Sequence, residues 1–334
     1  MHDAILNRTR QAARDLAGQL ATIQVQAQSD IDPEALYAQV HSSMQQTLDR
    51  LARTGCRGPA NRMASNELWR IAGPQLGTGS LQEHARTKPR GYAGDFELLE
   101  KIDAYDLCQD PLGHALDRFF QQQAAPEAVR DRMRIVAEAM AETMARRATA
   151  GSHLVSVGSG PALDVARALE QASAELRQSA HVTLMDIDPE ALEHATGRLH
   201  GLLPANHLTC ARENLFRLHK RSSPLAALGK ADLIACTGLF DYLDDDHAVA
   251  LLTAFWRHLA PSGTLLVFNF APTNPSRAYM EWIGQWYLTY REPAELASLA
   301  RRAGIQSEAY SIEAGPLGIC PCLRATAPQS LSPN

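Results

Sequence analysis

Leu154-Val155-Ser156-Val157-Gly158-Ser159-Gly160-Pro161-Ala162-Leu163-Asp164 decides the fold. A short apolar run enters a glycine turn, and Pro161 beyond it is suited to the first position of a helix. Val165, Leu169, Ala172 and Leu176 continue at helical spacing and predict one buried stripe. Glycines at 158 and 160 allow backbone torsions that other residues resist, and they clear side chains where a ligand must approach the main chain. Strand, glycine turn and helix in this order open a nucleotide-binding α/β unit.

Working outward, short apolar runs alternate with helical patterns after residue 150. They are Leu154–Val157, Val182–Asp186, His207–Ala211, Ala231–Cys236 and Thr264–Phe270, the pattern of a parallel sheet built from βαβ units. Glu308–Ile312 and Gly318–Arg324, separated by Gly315-Pro316, predict a closing hairpin. At the end of the second run stands Asp186, placed to accept both hydroxyl hydrogens of a ribose. Asp188, just before Pro189, reads as a helix cap. A dinucleotide site would want a third glycine where Leu163 stands, and Pro161 removes an amide that a pyrophosphate would use. Both changes point away from NAD and towards an adenosine ligand with an amino-acid tail.

Before residue 150 only helical periodicity is visible. Leu16, Leu20 and Ile23 form one stripe. Asp32-Pro33 caps a helix whose stripe is Leu36, Val40, Met44, Leu48 and Leu51. Val129, Met133, Val136, Met140 and Met144 mark a long helix starting near Pro126. Thr54 to Ser65 is rich in breakers, and a loop is expected from Gly73 to Gly94. The chain is therefore expected to divide into a helical part, 1–149, and an α/β domain, 150–334.

Composition narrows the function. With 32 basic and 37 acidic residues among 334, the net charge of -5 argues against a nucleic-acid partner. No run of 18 apolar residues exists, so no membrane span is expected. The opening Met1-His2-Asp3-Ala4-Ile5 lacks a secretory apolar core, and six sparse cysteines lack zinc spacing. A cytoplasmic protein acting on a small molecule is the expectation. Cys320-Pro321-Cys322 reads as strand packing.

These residues resemble the class I S-adenosylmethionine-dependent methyltransferases. Val157-Gly158-Ser159-Gly160-Pro161-Ala162 matches the first motif, and Met185-Asp186-Ile187-Asp188 the second. Glu213-Asn214-Leu215-Phe216 resembles the adenine-flanking segment. Thr237-Gly238-Leu239-Phe240-Asp241-Tyr242-Leu243 falls where the family lines the methionine and the reacting groups. Leu259-Ala260-Pro261-Ser262-Gly263-Thr264 resembles the lead into strand five. The resemblance implies a Rossmann-like sheet of seven strands, the last antiparallel, with S-adenosylmethionine as cofactor and no metal. It implies cofactor contacts from Gly158, Ser159, Gly160, Asp186, Ile187, Asn214, Leu215, Thr237 and Phe240.

Lys88-Pro89-Arg90-Gly91-Tyr92-Ala93-Gly94-Asp95 is similar to a loop of a subgroup with the same helical extension. That subgroup includes hydroxy-fatty-acid methyl ester synthases and azetidine-2-carboxylate synthases, which cyclise S-adenosylmethionine itself. The resemblance implies a lid. A sulfonium cation is attracted to aromatic faces, and Tyr92 is the preferred aromatic. Phe240, Tyr242, Trp282, Trp286, Tyr287 and Tyr290 also border the expected strand ends, although Trp282, Trp286 and Tyr290 share a spacing of four that suits packing. Cyclisation would require the α-amine to be held behind the carbon–sulfur bond. Arg90 is then a candidate for the carboxylate, and Tyr92, Asp95, Asp241, Tyr242 and Asn269 for orienting the amine. Cyclisation with release of methylthioadenosine is the leading expectation, and methyl transfer to an oxygen or carboxyl acceptor is the alternative. His247 and His258 are expected on helix surfaces.

Overall fold

The computed structural model describes residues 2–29, 31–215 and 228–329; Phe216 lies outside them. The chain packs as two compact units, residues 1–127 with 274–288, and residues 128–273 with 289–334.

The first unit contains α1 (His2–Gln26), α2 (Pro33–Ala52), α3 (Arg62–Leu76), α4 (Ser80–Thr87), α5 (Phe96–Asp103), α6 (Pro111–Gln121) and the start of α7 (Ala124–Arg146). The Asp32 carboxylate accepts the Ala35 amide and caps α2 as the sequence predicts. The stripes of α1 and α2 are buried throughout. The expected loop over 73–94 instead holds α4 and the end of α3. Pro74 and the glycines at 77 and 79 read as breakers, but Pro74 sits inside α3, and Leu81 and Ala85 bury the inner face of α4. Residues 274–288 return to this unit: Ser65 Oγ donates to Trp282 O at 2.8 Å, Trp69 Nε1 to Ile283 O at 2.8 Å, and Tyr279 OH to Gln82 Oε1 at 2.8 Å.

The second unit takes α7 from Ala128 onward. It continues through β1 (Ser152–Val157), α8 (Leu163–Gln171), α9 (Ala174–Ser179), β2 (Ala180–Asp186), α10 (Pro189–Leu199), β3 (Leu208–Arg212), β4 (Ala231–Cys236), α11 (Asp245–His258) and β5 (Leu259–Phe268). After α12 (Arg277–Trp282), which belongs to the first unit, come α13 (Pro293–Arg302), β6 (Tyr310–Glu313) and β7 (Cys322–Thr326). Sheet order is β3-β2-β1-β4-β5-β7-β6, with β7 antiparallel to both neighbours. Every residue of β4 is buried, as a strand covered on both faces requires. The architecture is thus the seven-stranded class I methyltransferase fold expected from the sequence.

Four details differ from the sequence reading. The boundary falls inside α7 rather than at 149/150, because helical spacing says which residues are buried but not against which partner. Pro161 does not begin the helix. Ala162 adopts a left-handed conformation (φ 53°, ψ 39°), and α8 starts at Leu163. The stripe to Leu176 is also broken: Ala172 is extended and the Ser173 side chain caps α9. The aromatic spacing of four over Trp282, Trp286 and Tyr290 spans more than a helix, since α12 ends at Trp282. No helix among the described residues is long and apolar enough to cross a membrane.

Candidate functional site

The chain runs outward from β1 through β2 to β3, then returns to place β4 on the other side of β1. Ligands of open α/β sheets bind in the crevice at such a reversal, beyond the carboxyl ends of the strands. Val157, the last residue of β1, pairs with Met185 on one side and Cys236 on the other. The Gly158–Gly160 turn therefore occupies the crevice.

Its amides are already spoken for. Gly158 N and Ser159 N both donate to Met185 O, at 2.8 and 3.1 Å. Gly160 N donates to Asp186 Oδ2 at 2.8 Å, and Asp188 N to Asp186 Oδ1 at 3.0 Å. A loop built this way does not present a ring of free amides to a diphosphate, in agreement with the argument against a dinucleotide. The Asp186 carboxylate is held rigidly and is 9% exposed; burial pushes its pKa up, while the amide bonds pull it back. Carboxylate lone pairs beyond those two bonds remain for a ribose.

Two features show that the turn fits an adenosine ligand with an amino-acid tail. Gly158 has φ +61°, and a Cβ there would find only Leu239 Cβ, at 4.0 Å, so space lies open beside the main chain. Ser159 Oγ is buried with no hydrogen-bond partner among the described residues, an orphan that a ligand can satisfy. Ile187, 44% exposed, presents an apolar face next to Asp186. Asn214 and Thr237 are half-buried, while Leu215 is buried. Asp188 caps α10 through the Glu190 amide.

Beyond β4 the candidates separate by environment. Phe240 is 0% exposed and belongs to the hydrophobic core with Val157 and Cys236, so the expected aromatic contact is replaced by packing. Asn269 is fully committed: Nδ2 donates to Phe270 O and Thr289 O, and Oδ1 accepts from Arg291 Nη1 at 2.8 Å. Fully buried, it is spent on holding the strand end rather than facing a ligand. Asp241 accepts the Phe270 amide at 2.7 Å through Oδ1. Burial raises its pKa to about 6, against the opposing pull of Arg132 and Arg291. Tyr242 is exposed.

The sequence reading missed Arg132 on α7. It occupies a position of the Val129–Val136 apolar stripe, three residues after one and four before the other, which is the signal that a buried cation was present. Only 7% exposed, its Nη1 lies 3.6 Å from Asp241 Oδ2.

In the first unit, the 84–97 segment is held by its own polar groups. Asp95 caps α5 through the Leu98 amide, and both its oxygens lie 2.8 Å from His84 Nε2. Arg90 Nη2 donates to Glu97 Oε1 at 2.9 Å, with the guanidinium 4.2 Å from the centre of the Phe96 ring. Asp95 and Arg90, expected at the reaction, thus have structural bonds, because a short glycine-containing loop between two helices must satisfy its own charges. Lys88 Nζ donates to Ala85 O and Gly284 O, and its pKa is lowered to about 8, chiefly by burial. Tyr92 is 36% exposed. His84, Asp95 and Glu97 offer ligand atoms within 4.8 Å of one another, a grouping that sequence spacing did not reveal.

Asp164, in the first turn of α8, carries a pH signature. Burial raises its pKa to about 6 from the ordinary 3.8, despite the Val165 amide on Oδ1. Because folding raises this pKa, the ionised group opposes folding fully above pH 6, and the penalty fades as pH falls towards 3.8. Asp164→Asn keeps the acceptor and is expected to stabilise the protein at pH 8 by about 1–2 kcal/mol. That is roughly 3 kcal/mol for the shift less the cost of seating the amide NH2. The gain disappears near pH 4 in thermal melts; a gain independent of pH would contradict the buried charge.

Residues 155–265 match the family described as "Methyltransferase domain". In fold and in the matched segment this region is similar to the class I S-adenosylmethionine-dependent methyltransferases. A ubiquinone biosynthesis O-methyltransferase of Xylella fastidiosa (strain M23) is 31% identical over 182 residues, covering 50% of this chain and 65% of that protein. The chain therefore spans less than two thirds of the curated relative it matches. A Bordetella parapertussis crystal structure, described as that of a possible exported protein, superposes with a TM-score of 0.59 at 19% identity, covering 95% of this chain and 97% of that one. An O-methyltransferase family protein from Burkholderia thailandensis gives 0.49 at 13% identity, covering 99% and 95%.

Proposed function

We propose that this protein is a small-molecule methyltransferase that uses S-adenosylmethionine and methylates an oxygen or carboxyl acceptor. The observation that carries this reading is the Asp186 carboxylate, pinned by the Gly160 and Asp188 amides beside the open face of Gly158. Asp186 accepts the ribose hydroxyls, Ile187 and Asn214 flank the base, and Ser159 Oγ with the Gly158 main chain meets the amino-acid end. When bound, S-adenosylmethionine supplies an electrophilic methyl group. Asn269, bonded to Phe270, Thr289 and Arg291, is no base, and a carboxylate acceptor, already ionised, would need none. The O-methyltransferase relative favours the same chemistry. The hydroxy fatty acids methylated by the subgroup that the sequence resembles are one acceptor class to assay.

Intramolecular cyclisation to azetidine-2-carboxylate is the second reading, favoured by the 88–95 loop. It loses support where the loop's charged groups hold other bonds: Asp95 with His84, Arg90 with Glu97. One incubation separates the two. S-adenosylmethionine with hydroxy fatty acids or phenols should yield S-adenosylhomocysteine only when acceptor is present. Methylthioadenosine and an azetidine amino acid without any acceptor would establish the cyclase instead. Absence of binding to S-adenosylmethionine defeats both.

A further inference from the structure

Three cations of the first unit meet without a counter-ion. Arg62 opens α3, while Arg86 and Lys88 stand at the end of α4. The bonds of the last two go to uncharged acceptors. Arg86 Nη1 donates to Ser65 Oγ at 2.7 Å and Nη2 to Asn66 Oδ1 at 2.6 Å; Lys88 Nζ takes the carbonyls of Ala85 and Gly284. None of the three pairs with a carboxylate among the described residues. Elsewhere in the unit Arg90, Arg118 and Arg277 do so with Glu97, Glu34 and Glu281, at 2.6–2.9 Å. The missing charge is felt. Burial, then Arg86 and Arg62, pull the Lys88 pKa down to about 8, and burial pulls that of Arg86 to about 10.

A second observation is independent of charge. Asn61, just before α3, is 0% exposed, and its Nδ2 is buried with no hydrogen-bond partner among the described residues. Its Oδ1 accepts from Tyr287 OH at 2.8 Å, so the carboxamide lies beside the phenol. The Arg62 guanidinium carbon stands 5.7 Å from the centre of the same ring. Burial raises the Tyr287 pKa, against the pull of Arg62 and Arg86, so both guanidiniums act on that hydroxyl. The nearby acid, Glu281, is already spent on the Gly58 amide and Arg277 Nε. Buried donors are ordinarily satisfied, and here donors alone converge: an amide NH2, two guanidiniums and the remaining N–H of an ammonium.

We propose that Arg62, Arg86, Lys88 and Asn61 bind a doubly charged oxyanion, a group of the phosphate or sulfate type. The site is formed by residues of the first unit alone and does not rest on the S-adenosylmethionine reading. Three positive charges call for more than one negative charge, and donors arriving from α3, α4 and the segment after α12 suit an anion with oxygens on several sides. Binding exchanges uncompensated desolvation of Arg86 and Lys88 for charge-assisted hydrogen bonds and gives Asn61 Nδ2 the acceptor it lacks.

The test is calorimetric titration of the full chain with sulfate, inorganic phosphate and acetate at fixed ionic strength. Sulfate and phosphate are expected to bind saturably and at least about tenfold more tightly than acetate. Arg86→Gln and Arg62→Gln should each weaken both dianions about tenfold. Arg62 is exposed, so its variant decides the matter should Arg86→Gln fail to fold. Sulfate does not titrate, yet its binding should draw a proton onto Lys88 at about pH 8.5 and none at about pH 6, with Arg86 charged and Tyr287 neutral at both. Heats measured in buffers of different ionisation enthalpy read that uptake, and its absence at the higher pH removes Lys88 from the site. Acetate binding as tightly as sulfate overturns the proposal. Binding that appears only at high millimolar concentration and is unchanged in both variants marks an adventitious ion only, and overturns it too.

Discussion

Asp186→Ala is expected to weaken S-adenosylmethionine binding by about a hundredfold or more. Two charge-assisted hydrogen bonds to a ribose, each worth about 1.5–3 kcal/mol, account for that loss. A second effect adds to it. The same carboxylate receives the amides of Gly160 and Asp188, so truncation leaves two backbone donors without acceptors and releases the turn. Asp186→Asn separates the two contributions. It retains one oxygen acceptor but cannot hold both amides and both hydroxyls. Its affinity is expected to fall between wild type and alanine, with a smaller loss in melting temperature. Isothermal calorimetry and thermal melts read the two effects, and wild-type affinity in Asp186→Ala would remove the adenosine site from this turn.

Gly94→Ala is expected to destabilise the protein by about 2–5 kcal/mol. Gly94 has φ +69°, and its added Cβ would stand 2.6 Å from Trp286 Cζ2. The left-handed backbone costs an L side chain about 1–2 kcal/mol, and forcing a methyl into a packed contact about 1–3 kcal/mol more. Trp286 cannot easily withdraw, being 8% exposed. Denaturant melts should show the loss. If Gly94→Ala melts like wild type while turnover collapses, the loop belongs to the chemistry rather than to the packing described for it.

Much of the candidate site's local geometry was legible because it depends on local sequence. Gly158, Gly160 and Asp186 are recognisable from a strand, a turn and the end of the next strand, and the structure joins them through one hydrogen bond between Gly160 and Asp186. The capping roles of Asp32 and Asp188 follow from a side chain reaching an amide two or three residues ahead. Phe240 and Asn269 were harder. An aromatic after β4 suits either a ligand or a core, and only packing assigned it to the core. Asn269 looks available until Arg291 and Thr289 arrive from elsewhere in the chain.

The 88–95 loop shows the same division. Its glycines, basic residues and acid were conspicuous in the sequence, yet the partners of Asp95 and Arg90 depend on how α4 and α5 are placed around the loop. Arg132 is the converse: inconspicuous as one arginine on a long helix, and significant only because Asp241 and Gly238 lie close to it.

By itself the sequence determined the order of strands and helices, the glycine turn and the acid one strand away, since periodicity, caps and turn residues act over a few positions. Tertiary structure alone decided which charges are spent on scaffold and which are held in reserve. A buried guanidinium or carboxylate takes its role from neighbours that the chain brings back from tens or a hundred residues away, and no local pattern encodes whether those neighbours complete its hydrogen bonds.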